Sequence, residues 1–273
     1  MDHNISIVEF LAGYGFDLLN PKAMVKAEEK GDKWFDLAVM IATDHEDAFL
    51  KGFLGYMYRL SDERNGREKG MDLKEADQVF LMNKKLRSRV SDLFGLKIYE
   101  GVFIGSLNNH AVRFFTGGWL EVFIWGLLRI FEGNDIWDLH MGINFGKKGR
   151  PSNEVENEWD VTFMRDQSLC IVECKTGEQG QDPTGNDTLY KLEAIKNQLK
   201  AIRVRSYLAT TASNVLNREG QIKKHITNRA RIYNCKIIPG WTIRELADIY
   251  LSKDPRLTQQ IAEVFELSQE ASP

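Results

Sequence analysis

Two acids and a lysine, Asp160, Glu173 and Lys175, stand in segments whose remaining residues are those of buried strands. Segments 160–165 and 169–175 are rich in Val, Ile, Phe and Thr, and the polar Arg165-Asp166-Gln167-Ser168 between them reads as a hairpin loop. With Arg165 paired to Ser168 and Met164 to Leu169, the register carries outward to place Asp160 opposite Glu173. Opposed Cβ atoms in such a ladder lie about 5 Å apart, and like charges there are destabilising unless one protonates or a cation sits between them. A divalent cation resolves the conflict most simply. Period two then sets Glu173 and Lys175 on one face and Cys170, Val172 and Cys174 on the other. Carboxylates suit a hard ion such as Mg2+ or Mn2+, whose charge stabilises a phosphoryl-transfer transition state, while the ammonium can orient water or neutralise developing charge. That chemistry suits phosphodiester hydrolysis. The competing reading, a surface hairpin with ordinary charges, sits badly with the flanking apolar runs.

A further acid comes from a different segment. After Gly117-Gly118, residues 119–131 form a helix that is apolar around almost its whole circumference, with Glu121 the lone acid in its first turns. An unpaired buried carboxylate is costly, so Glu121 should face a cation, an arginine or a polar cleft, and the helix N-terminus should help keep it ionised. An acid placed only to complement the helix dipole is the simpler alternative.

Glu121, Asp160 and Glu173-Cys174-Lys175, in that order, resemble the PD-(D/E)XK nuclease superfamily: an acid on a helix, an acid on one core strand and E-x-K on the next. Gly117-Gly118-Trp119-Leu120-Glu121, Asn157-Glu158-Trp159-Asp160-Val161, Glu173-Cys174-Lys175-Thr176 and Leu189-Tyr190-Lys191-Leu192-Glu193 are similar to the nuclease half of CRISPR-associated effectors that join a CARF sensor to such a nuclease. An isolated D…E-x-K is a weak signal, whereas four ordered motifs over about residues 105–250 are specific.

The resemblance implies an α/β fold with a restriction-endonuclease-like core, a mixed central sheet flanked by helices. It implies Glu121, Asp160 and Glu173 as metal ligands, with the Cys174 carbonyl as a further one, and Lys175 as the catalytic lysine. Glu158 and Lys191 are supporting candidates, the lysine toward the scissile phosphate; an exposed acid and a solvated helical lysine are the plainer readings of both. The resemblance also implies a role in antiviral defence, a DNA or RNA substrate and a homodimer. No apolar opening strand of a nucleotide-sensing domain is visible near the N-terminus, and Lys200-Ala201 replace the glycine pair common after the motif helix. Activation by a small ligand is left open on that account.

The remaining elements must position these groups. Residues 1–95 read as a helical module, regulatory or dimerising, with long helical periodicity over 33–60 and another helix over 73–94; residues 96–273 read as the nuclease domain. Strands are expected at 97–104, 137–146, 205–211 and 234–238, with helices at 188–201, 218–232 and 242–252 and a polar loop at 176–187.

The 273 residues carry a net charge of −3, which argues against a globally basic nucleic-acid binder. Yet residues 187–236 hold eleven Lys or Arg against three acids, the local surplus that phosphate steering needs. Lys223, Lys224, Arg229 and Arg231 are the candidates for backbone contacts, against a plainer reading as solvated helix faces. Three cysteines without framework spacing suggest core packing in a reducing, cytoplasmic setting, and no apolar segment is clean enough to read as a membrane span. A non-catalytic nucleic-acid-binding or assembly protein, and a nuclease silent until an activator binds its N-terminal part, are the alternatives to a constitutive enzyme.

Overall fold

The computed structural model describes residues 4–74, 83–100, 102–149, 157–177, 187–199 and 204–268. In chain order these form α1 (Ile7–Gly13), β1 (Phe16–Leu18), α2 (Pro21–Asp44), α3 (Ala48–Glu63), α4 (Gly66–Lys69), β2 (Met71–Leu73), α5 (Lys84–Phe94), β3 (Lys97–Tyr99), β4 (Val102–Leu107) and α6 (Asn109–Arg113). Then follow α7 (Trp119–Leu128), β5 (Trp137–Lys147), β6 (Asn157–Arg165), β7 (Ser168–Lys175), α8 (Asp187–Gln198), β8 (Val204–Thr210), α9 (Lys224–Ile232), β9 (Cys235–Pro239), α10 (Gly240–Ser252) and α11 (Leu257–Phe265).

A six-stranded sheet in the order β1-β5-β6-β7-β8-β9 forms the centre. β1, β5, β6 and β7 pair antiparallel, whereas β7, β8 and β9 run parallel, as crossovers through α8 and α9 require. This is the mixed α/β architecture expected. Strand β7 is buried along its length except at Lys175, which fits its apolar run and its central place. One face of the sheet packs Val161, Phe163, Cys170 and Val172 against α7, α2 and α10; the other packs Met164, Leu169 and Ile171 with residues of α1, α8 and α9.

The N-terminal residues contribute a strand to the central sheet. Phe16, Asp17 and Leu18 pair with Lys147, Gly146 and Phe145, so the edge strand of the six-stranded sheet comes from within residues 1–95. Helix α2 also packs along α7, and one hydrophobic cluster runs from Leu37 through Phe123 to Phe265. The long 33–60 periodicity is broken into α2 and α3 because Asp47 caps a new helix, its carboxylate accepting from the amides of Phe49 and Leu50. The helix expected over 73–94 begins at Lys84, capped by Asn83, and Leu73 belongs instead to a small β2-β4-β3 sheet; residues 76, 79 and 80 of that expectation lie outside the described residues. The single strand expected at 97–104 is a hairpin of β3 and β4. The basic helix expected from 218 starts at Lys224, and α11 follows what sequence periodicity marks as the last helix.

The helical run Asn109–Phe131 has the length and composition of a membrane span, longer than the 119–131 helix expected, but most of it is enclosed by the rest of the protein. Trp119, Leu120, Val122, Phe123, Ile124, Trp125, Leu127 and Leu128 are all buried, each worth about 1.5–3 kcal/mol before entropy is counted. That makes α7 a rigid mount for Glu121.

Candidate active site

The β6–β7 hairpin turns at Asp166-Gln167, both at positive φ (48° and 57°), the geometry of a two-residue type I′ turn. That turn sets the register foreseen: Arg165 pairs with Ser168, Met164 with Leu169 and Val161 with Val172. One step further, Asp160 stands across from Glu173, and its Oδ2 accepts from the Cys174 amide at 2.6 Å.

Glu173 is fully enclosed, with 0 % of its surface exposed. Lys175 Nζ lies 2.8 Å from its Oε1, and Lys191 Nζ donates to Oε1 and Oε2 at 3.0 Å each. Lys191 also donates to the Glu158 carbonyl at 3.1 Å, which ties α8 to β6 at this point. The structure thus brings Asp160, Glu173, Lys175 and Lys191 together, with the backbone of Glu158 beside them.

Glu121 joins from α7. The run between α6 and α7 is a π turn over Phe114–Gly118 with Gly117 at φ 150°, a value that disfavours any side chain, and a Cβ there would meet Thr176 Oγ1 at 3.4 Å. This lets the start of α7 approach the residue that follows Lys175. Burial first, then the charges of Glu158 and Glu173, push the Glu121 carboxyl up to about 7, against the pull of Lys175 and Arg113. Enclosure and the two neighbouring carboxylates act against the help of about 0.3–1 kcal/mol that a helix N-terminus gives the ionised form. Asp160 is raised for the same reasons, burial foremost, then Glu173 and Glu121. Burial opposes the charge on Lys175, but Glu173 and then Asp160 hold its ammonium above the ordinary lysine range.

Mutually repelling, enclosed carboxylates beside a peptide carbonyl are the donor set of a hard divalent cation. Among the described residues, no three of His, Cys, Asp and Glu lie close enough to hold one as the side chains stand. The Glu173 oxygens are engaged by two ammonium groups, those of Lys175 and Lys191. The residues suit the ion in type.

The other candidates divide. Arg229 lies over the Tyr190 ring at 4.7 Å, which brings it to the helix that carries Lys191. Lys223 donates to the Asn214 carbonyl at 2.6 Å, while Lys224 and Arg231 are exposed. Part of the local cation surplus is spent internally, since Lys196 caps the carbonyls of Tyr233 and Asn234 and Lys236 that of Glu263. Lys200 and Ala201, and residues 178–186 of the expected loop, lie outside the described residues. Arg113, whose charge bears on Glu121, and Thr211, whose amide donates to the Lys175 carbonyl at 3.0 Å, carry no sequence signal of their own. Cys170, Cys174 and Cys235 are free and buried, as core packing requires.

Residues 108–238, which contain Glu121, Asp160, Glu173, Lys175 and Lys191, match the family model of the Card1-like endonuclease domain. This segment is therefore similar to a Card1-like endonuclease domain. The match agrees with the resemblance read from the four motifs, and it covers the whole hairpin, α7, α8 and α9. Two solved structures share the fold around it. Protein VC1899 from Vibrio cholerae has a TM-score of 0.65 at 21% identity over 92% of this chain and 61% of its own. Can2 from Sulfobacillus thermosulfidooxidans, solved in complex with cyclic tetra-adenylate, has a TM-score of 0.57 at 19% identity over 91% of this chain and 58% of its own. The chain therefore spans about three-fifths of the length of these structures. No curated protein matches it.

Proposed function

We propose that the protein is a divalent-metal-dependent endonuclease that hydrolyses phosphodiester bonds in DNA or RNA. The observation that carries this reading is the junction of Asp160, Glu173 and Lys175 at the end of β7, inside an endonuclease domain. Glu121, Asp160, Glu173 and the Cys174 carbonyl would hold Mg2+ or Mn2+. The ion, when bound, supplies positive charge at the phosphoryl oxygens and makes water a better nucleophile. Lys175 Nζ, placed beside Glu173, orients the attacking water or balances the charge that builds on the phosphoryl group. Lys191 Nζ exchanges its contact with Glu173 for a phosphate oxygen, an equivalent charge-assisted bond. Glu158 supports the site through solvent. Cleavage of DNA and RNA in Mn2+, Mg2+ or EDTA tests this reading.

One observation favours a second reading, a nuclease silent until activated: both oxygens of Glu173 are held by lysines in this state. A ligand or partner that draws α8 away would free the carboxylate. Can2 was solved with cyclic tetra-adenylate bound, so that compound is one activator to try, with stimulation of cleavage as the readout. The three free, buried cysteines support a reducing, cytoplasmic setting. Work in antiviral defence as a CRISPR-associated homodimer belongs to the same proposal and rests on the family resemblance.

A further inference from the structure

A cleft of ≈ 500 Å³ opens next to the site and is absorbed by none of the roles above. Its inner wall is made by Thr176 and Gly177, directly after Lys175, and by Thr211, directly after β8. It therefore lies outside the carboxyl ends of the parallel pair β7 and β8, where open α/β sheets take their ligands. Phe115 and Trp119, on the helical run that carries Glu121, form part of its floor. The outer wall is α3, from the N-terminal region, and it brings Lys51, Leu54, Gly55, Tyr58 and Arg59.

Three features of α3 point to a ligand. Lys51 and Arg59 are exposed and, among the described residues, no carboxylate pairs with either. Tyr58 is half-buried, with the Arg67 guanidinium over its ring at 4.4 Å, so its plane is fixed. Gly55 is a helix-interior glycine without a packing reason. A Cβ at Gly31 would meet Met141 at 2.7 Å and one at Gly126 would meet Phe35 at 2.2 Å, whereas a Cβ at Gly55 meets nothing within 4 Å. Glycine weakens a helix interior, and at position 55 its effect is to keep the cleft wide.

We propose that this cleft binds a nucleotide unit of the substrate strand next to the scissile phosphate, with Lys51 and Arg59 on its phosphates and Tyr58 and Leu54 against its sugar and base. The inference rests on the endonuclease reading and extends it, because it makes the N-terminal region part of the substrate site. Cationic rim, aromatic floor and outer wall, and hydroxyl-bearing inner wall match a polynucleotide, whose charge is spaced along a strand with an apolar face on each base.

The test is fluorescence anisotropy of labelled single-stranded DNA and RNA oligonucleotides on the full chain in EDTA, beside cleavage of the same strands with metal. Combined Lys51→Ala and Arg59→Ala should weaken binding at least tenfold at low salt and lower the slope of log K against log salt by about 0.7 per cation removed. Gly55→Phe, which adds bulk without changing charge, should weaken binding to a similar degree and leave that slope in place. Lys22→Ala, outside the cleft, should bind as wild type. Melting curves that stay level across the set exclude misfolding, and the salt slope is a readout misfolding would not mimic. If wild type cuts and both cleft variants bind as it does, the cleft has no part in substrate binding and the inference is wrong while the nuclease reading stands. If wild type neither binds nor cuts any strand, with or without cyclic tetra-adenylate, the nuclease reading falls and takes this inference with it.

Discussion

His140 on β5 lies between two acids, with Nδ1 2.7 Å from Glu28 on α2 and Nε2 2.9 Å from Asp138. Asp138 in turn accepts from the Ile7 amide at 2.5 Å, so one imidazole ties α1, α2 and the sheet together. Burial works against its charge, but the Asp138 and Glu28 carboxylates raise its pKa to about 9. A folded pKa above the ordinary 6.5 means the link stabilises fully below pH 6.5 and is lost as pH rises through about 9. At about 1.36 kcal/mol per pH unit the rise sets an upper bound of about 3 kcal/mol. The ring is partly open to solvent, and screening reduces this to about 1–2 kcal/mol. For a protein of this size that is about 2–8 °C in Tm. Melting wild type and His140→Gln between pH 6 and 10 should show wild type ahead by that margin at pH 6, with the gap closing between pH 8 and 10. A gap of equal size at both ends would refute the charged clamp, and with it one of the bonds that tie α1 and α2 to the sheet.

Lys191→Ala removes the phosphate contact assigned to this lysine, a charge-assisted bond worth about 1.5–3 kcal/mol, so cleavage in saturating metal should fall about 10–150-fold with the fold intact by circular dichroism; wild-type rates would take Lys191 out of the site. Gly126→Ala drives a methyl into the Phe35 ring and should cost about 1–3 kcal/mol in urea unfolding despite better helix propensity, and an unchanged midpoint would contradict the close α2–α7 packing. Asp47→Ala deletes the cap that separates α2 from α3 and should cost about 1 kcal/mol by the same measurement, with no loss meaning the helix start is held by packing alone.

The site is the part of this protein most legible from sequence, because it is built from local geometry. Period two and a two-residue turn set Asp160 against Glu173, and Glu121 stood out as the lone acid in an apolar helix. What escaped notice depends on contacts distant in sequence. Phe16–Leu18 is too short to announce a strand and exists only because β5 offers an edge. Leu73 follows the helical pattern of its neighbours but pairs with Gly105. The state of Glu121 depends on how close Glu158 and Glu173 come, which the helix-dipole argument cannot see. The cation surplus over 187–236 overstated the charge free for phosphate, because Lys196, Lys223 and Lys236 are spent on carbonyl groups. The cleft wall on α3 lies more than a hundred residues from Lys175 and carries no motif.

The central claim is that the acids and lysine at the end of β7 cut phosphodiester bonds with a divalent ion. Its most direct test is cleavage of plasmid, single-stranded DNA and RNA by wild type, Glu173→Ala and Lys175→Ala in Mn2+, Mg2+ or EDTA, with and without cyclic tetra-adenylate. The account predicts cutting by wild type that needs the metal and falls at least a hundredfold in both variants. Cutting that survives in EDTA, or that both variants retain at wild-type rates, would contradict it.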